Sequence, residues 1–349
     1  MFSHPIQLRR SSAFLCWLVL CSTGIPQCQS VSPHADNSAP DSAQQVRFVR
    51  EFSRAEDVQR ELHPILNRSL DIVAGPADAH PPIDKLISPQ AVITDATGRV
   101  FVADPEAGVV HVFDFAQSRY TILKDRENRM RSPVALALDR DDNLYVADTG
   151  LAAVLVFDSK GKFLRYLGKD EGEESYFESP VSLAIDLATR HIFVCDSRRH
   201  MVLVLDRKAR IISHIGKRGG GSQPGEFRYP SRVAVSGDEL FVLDSGNSRL
   251  QVLDLTGHFR REVRLAEANL SDGLAVDDRK NIYVADTQIN AVNVFDRAGQ
   301  FVYKFGGTGA KSGEFHQPSG LWIDSRHSNL YVADTRNRRI QMFEIAGPR

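Results

Sequence analysis

The stretch PVALALDRDDNLYVADTGLAAVLVFD, residues 133–158, decides the fold. It holds three short runs rich in Val, Leu, Ala, Tyr and Phe, each closing on an aspartate (Asp139, Asp148, Asp158) and parted by Arg, Asp, Asn, Thr and Gly. Short β-prone runs bounded by such residues are strand and turn signals, and no helical period runs through them. VALALD and VLVFD are almost continuously apolar rather than alternating. Strands with that pattern are buried on both faces.

The phrase returns along the chain, clearly so at Pro318 to Glu344. Its middle aspartate recurs as Asp104, Asp148, Asp196, Asp244, Asp286 and Asp334, at separations of 44, 48, 48, 42 and 48 residues. The next landmark (Asp114, Asp158, Asp206, Asp254, Asp296, Glu344) always follows after ten. Length varies elsewhere in the unit and never between these two points. Six such units, each too small to bury its own faces, predict six sheets stacked against one another. Radial stacking of four-stranded sheets covers both faces of each.

The consensus resembles that of NHL repeats over roughly Pro89 to Ala346, and the connections GGGSQPGEFRYP (219–230) and GGTGAKSGEFHQP (306–318) resemble the link between such repeats. The resemblance implies an all-β, six-bladed β-propeller with the Pro-led strand innermost. It also places the inter-repeat connections and the loops after the middle aspartates on one face. The only tryptophans are Trp17 and Trp322, and neither makes the Trp-Asp ending of a WD40 repeat.

The last repeat stops at its third strand, so an N-terminal strand must close the ring. Val46 to Phe52 (VRFVREF) is favoured because FVREF mirrors FVYKF at 301–305; Leu70 to Gly75 is the rival. Leu62, Ile65, Leu66, Leu70 and Val73 sit at helical spacing behind a Ser53/Glu56 capping-box pattern, which predicts a helical insertion over 53–75 before blade one. Residues 46–349 then form the propeller. Residues 31–45, rich in Ser, Pro, Asp and Gln, read as a flexible linker. Residues 1–30 have the basic, apolar and polar parts of a signal peptide: Arg9 and Arg10, then Ala13 to Leu20, then a polar tail. The expectation is an exported, periplasmic protein cleaved after Ser30. The alternative is a lipid anchor on Cys28, which would attach it to the envelope; Gln27 is larger than the residue that usually precedes a lipidated cysteine. The apolar run is too short to span a bilayer. Beyond residue 30 only Cys195 remains, so no internal disulfide holds the fold.

The formal charge is −1, and without the first thirty residues it is −3. Such a chain has no overall attraction for nucleic acid. Six repeated aspartates read as turn-fixing groups, since a carboxylate at a strand end accepts nearby backbone N–H groups. Cys195 stands where most other repeats have Ala, which marks a packed position rather than a nucleophile. Six-bladed lactonases and amidating lyases resemble this architecture and carry metal ligands on the inner strands. The residues after the Pro position here are Gln90, Val134, Val181, Ser231, Asp272 and Ser319. A channel mouth of Gln90, Ser231, Asp272 and Ser319 interrupted by two valines supplies neither three His or carboxylate ligands for zinc nor six oxygens for calcium. No metal and no cofactor are expected, although Asp272-Gly273 resembles one element of a lactonase calcium site.

Charge gathers in two loop regions. Asp170, Glu171, Glu173, Glu174 and Glu178 form an acidic connection into blade three, and Arg198, Arg199, Lys217, Arg218, Arg228 and Arg249 a basic group in blades three and four. On the implied geometry both lie on one face. The expected function is therefore a non-catalytic binding or scaffold module that recognises a protein or an extracytoplasmic polymer through that face. A metal-dependent hydrolase or lyase is the alternative.

Overall fold

A computed structural model describes residues 46–58, 83–124, 130–168, 175–265 and 271–345. These form twenty-four strands, numbered β1 to β24 in chain order, in six four-stranded antiparallel sheets. Five blades are consecutive four-strand meanders. Their innermost strands are β2 (Ala91–Thr94), β6 (Pro133–Leu138), β10 (Pro180–Ile185), β14 (Arg232–Ser236) and β18 (Ser271–Val276). The sixth blade has the order β1 (Val46–Phe52), β24 (Arg339–Ile345), β23 (Asn329–Asp334), β22 (Pro318–Asp324). Thus Val46 to Phe52 supplies the missing outer strand, paired antiparallel from Val46–Ile345 to Phe52–Ile340. The rival at 70–75 lies outside the described residues.

The second strands are among the most buried in the molecule. Val100–Asp104, Leu144–Asp148, Ile192–Asp196, Glu239–Asp244 and Ile282–Asp286 are buried throughout. Each lies between its own sheet neighbours and the faces of two adjacent blades, which is why the apolar run does not alternate. The core is accordingly a set of inter-blade layers. One joins Tyr145 and Val154 of blade two to Leu183 and Val194 of blade three, and another closes the ring by joining Phe52 and Tyr331 to Val92 and Phe113.

Of the helical insertion expected over 53–75, the described part holds a 3-10 turn, Ala55–Val58; residues 59–75 lie outside the described residues. Asp57, not Glu56, caps the turn by accepting from the N–H groups of Ser53 (2.7 Å) and Arg54 (3.0 Å). The chain returns at 83–86, where Leu86 donates to the Ser53 carbonyl at 2.7 Å. Among the described residues no helix is long and apolar enough to cross a membrane.

Candidate functional site

Asp104, Asp148, Asp196, Asp244 and Asp334 bind the connection that enters their own blade. Asp148 accepts from the amides of Arg131 (2.8 Å), Ser132 (3.0 Å) and Leu151 (3.0 Å); Asp196 accepts from Glu178 (2.7 Å) and Ser179 (2.9 Å). Connections and strand-two-to-three loops therefore meet on one face, and the carboxylates are consumed in fixing it. Burial is the main influence on Asp148 and raises its pKa. Burial pushes the same way at Asp104, but there His111, 3.5 Å away, and the amides of Ile87 and Ala107 win, and the pKa is lowered. His111 is itself buried, its Nδ1 2.6 Å from the Tyr120 hydroxyl. Cys195 is fully buried with Sγ 3.2 Å from the Pro230 carbonyl. Burial, reinforced by Asp196, pushes its thiol upward, so it is no nucleophile.

The loop face is most elaborate where blade three meets blade four. Phe227 is fully buried and anchors the connection 216–230 against Gly216, where a Cβ would stand 2.9 Å from its ring. Two residues on, Tyr229 is 55% exposed. Its backbone is left-handed (φ 46°), as is that of His200 (φ 59°). Such conformations cost a non-glycine residue about 1–2 kcal/mol and persist only when surroundings impose them. Here the Tyr229 amide donates to His200 Nδ1 at 3.0 Å and the two rings meet edge to face, 4.4 Å between centroids.

The basic residues expected on this face separate into two kinds. Arg198, Arg218 and Arg228 are exposed: Arg198 stands two residues before His200, Arg228 next to Tyr229, and Arg218 in the connection between them. The others are engaged. Lys217 Nζ is 3.4 Å from Glu226, and Arg199 Nε is 3.5 Å from both Glu178 and Asp196. Arg249 is corrected out of the patch: only 9% exposed, it donates to Asp244 (2.9 Å), Glu262 (3.1 Å) and the carbonyls of Gln223 and Glu226 (3.1 Å each). Its position opening the third strand, beside the buried aspartate, made it a strut. Of the acidic loop, Glu178 is described; Asp170, Glu171, Glu173 and Glu174 lie outside the described residues.

The proposed channel mouth is likewise redistributed. Ser231 Oγ is 2.6 Å from Ser245 Oγ, and Ser319 Oγ is 2.7 Å from Thr335 Oγ1, so both hydroxyls tie a connection to its own blade. Only Gln90 of the four lines the central cavity. Asp272 is partnered by a residue that sequence reasoning passed over. Arg232 spans three blades: its guanidinium lies 3.2 Å from Asp272 Oδ1 and donates to the carbonyls of Asp272 (2.7 Å) and Val181 (3.0 Å). The signal was present, since Arg232 is the only charged residue among the five corresponding positions two after the Pro or its substitute in blades two to six. Beneath it opens a cavity of about 600 Å³, walled by the six inner strands. Half-buried Leu136, Leu138, Ile185, Val235, Val276 and Trp322 face it. Among the described residues no three His, Cys, Asp or Glu side chains converge as metal ligands.

A family described as a 6-bladed beta-propeller matches residues 179–280 and 272–348. The chain is a six-bladed β-propeller. Among solved structures, this propeller is similar to a streptogramin B lyase (TM-score 0.56, 12% identity, 75% of this chain and 94% of that one). A virginiamycin B lyase from Staphylococcus aureus is similar at TM-score 0.54 and 11% identity over 74% of this chain and 95% of its own. A protein of unknown function from Bacteroides thetaiotaomicron aligns at TM-score 0.61 and 14% identity, over 76% of this chain and 71% of that one. At these identities the likeness is one of fold. No curated protein matches the sequence.

Proposed function

We propose that the propeller is an exported, non-catalytic binding module that takes another protein or an extracytoplasmic polymer on the loop face of blades three and four. The observation that carries this reading is Tyr229: an aromatic ring more than half exposed, held in a left-handed backbone by His200, with exposed Arg228 next to it in sequence, Arg198 two residues before His200 and Arg218 in the same connection. A rigid aromatic beside arginines is the composition of interface hot spots, because it offers contact area at little entropic cost. The alternative, a metal-dependent hydrolase or lyase, would need a set of metal ligands that the described channel does not bring together. The neighbouring lyases keep that alternative worth one measurement, the metal content of the purified protein.

The test is capture and crosslinking from the native envelope, followed by association kinetics with the captured partner. Tyr229→Ala should weaken binding about tenfold or more, as hot-spot truncations do. Arg198→Glu, Arg218→Glu and Arg228→Glu together should slow association, strongly at low salt and weakly at high salt. Unchanged kinetics in both variants, with the sheet intact by circular dichroism, would overturn the reading.

A further inference from the structure

The central cavity, whose lining does not include Tyr229, is a second site, and we propose that it takes the acyl chain of a single-chain amphiphile. The inner strands are sheet edges in every blade, so some of their amides and carbonyls reach the channel. Its side chains, however, are chiefly Ala, Val, Leu and Ile, together with the indole of Trp322. Trp322 donates Nε1 to Thr94 Oγ1 at 2.9 Å, which satisfies its polar edge and leaves ring surface for the cavity. Ser182, another lining residue, accepts the Val233 N–H on its hydroxyl oxygen at 3.2 Å.

Charge is confined to the two ends. At the loop-face end Arg232 is matched by Asp272 and by two carbonyls, so it closes the channel without calling for an anion. At the other end the lining includes Arg140, Asp186, Leu187, Ala188 and Gly237, all in turns between first and second strands. Asp186 is turned onto its own hairpin, accepting from Ala188 and Thr189 amides at 3.0 Å each. Leu187 is 47% exposed and Arg140 is exposed, an apolar lip beside a cation. A slim apolar chain fits the walls, and an anionic head fits the lip. The volume is within the range of about 300–1,000 Å³ of small-molecule sites. Water beside the apolar side chains gains less than water at the strand-edge amides and carbonyls. A slim chain entering tail first displaces the former and leaves the latter.

The probe is cis-parinaric acid, whose polyene accepts excitation energy from tryptophan. In a Trp17→Phe background Trp322 is the sole indole. Saturable, one-to-one energy transfer is expected. Ala234→Phe, which fills the channel from a half-buried position, should weaken it about tenfold or more, the equivalent of roughly two methylenes of lost burial. Val235→Phe tests the same point should the first variant fail to fold. The methyl ester should bind within about fivefold of the acid, since an exposed ion pair with Arg140 is worth only about 0–1 kcal/mol. Tyr229→Ala should leave the probe's affinity unchanged, which separates this site from the loop face. Absent saturation, or transfer indifferent to both channel-filling variants, overturns the proposal. So does displacement by an apolar octapeptide but not by dodecanol, which would make the occupant a peptide.

Discussion

The connections into blades four and six are built on one frame and finished differently. In blade four, Arg249 joins Asp244, Glu262 and the carbonyls of Gln223 and Glu226; in blade six, Arg339 joins Asp334 (2.8 Å), Glu51 (2.8 Å) and the carbonyls of Lys311 (2.9 Å) and Glu314 (3.0 Å). Gln251 and Gln341 repeat each other, as do Asn247 and Asn337. Even the closure obeys the pattern. Glu51, on a strand from the far end of the sequence, takes the place that Glu262 holds within its own meander. What differs is the exposed tip. His200 and Tyr229, where blade three meets blade four, become Asn290 and Gln317 where blade five meets blade six, with the same left-handed backbone (φ 53° and 52°) and the same bond, Gln317 N–H to Asn290 Oδ1 at 2.7 Å. A frame that tolerates such exchange leaves the tip free to serve recognition.

The comparison breaks most severely if β1 is removed. Deleting residues 31–52 strips Glu51 from Arg339 and opens the sixth blade, while deleting 31–45 leaves both. The first truncation should lose most cooperative unfolding and the second should melt like the parent, as followed by calorimetry. Next come the struts. Arg249→Met and Arg339→Met each leave a buried aspartate without its cation, which costs about 3–5 kcal/mol. Chemical denaturation should find the two losses similar, and a large inequality would show that closure through Glu51 is not equivalent to closure through Glu262.

Blades one and two sharpen the point with protons. Where His111 stands beside Asp104, blade two has Leu155 at the same position after Asp148. Asp104 is held below the ordinary 3.8, so its contribution is present above that pH and lost as pH falls through the lower native value. Asp148 is held above 3.8, so its contribution is full below that pH and lost as pH rises through the higher native value. From pH 3 to 6, wild type should gain stability relative to Asp104→Asn and lose it relative to Asp148→Asn. Parallel curves would show that His111 does not distinguish the two. The smallest effect is at the tip. Exchanging Tyr229→Gln should alter stability by no more than about 0.5 kcal/mol, as at other exposed positions. Denaturation of that variant checks that the tip is independent of the frame.

The fold was legible because a repeat reports its own architecture. Units that share a fixed ten-residue internal spacing, with strands apolar on both faces, admit few arrangements other than radial stacking, and the likeness of FVREF to FVYKF marked the strand that pairs with β24. Local chemistry was legible for the same reason: an aspartate repeated six times belongs to the frame. The sequence could not sort charged residues into struts and surface, because Arg249 and Arg228 differ only in which way a folded backbone turns them. Nor could it show the Arg232–Asp272 closure or the cavity beneath it, since both assemble from inner strands scores of residues apart. Periodicity is written along the chain and survives unfolding; burial, pairing and enclosed volume exist only between blades, and only the closed ring decides them.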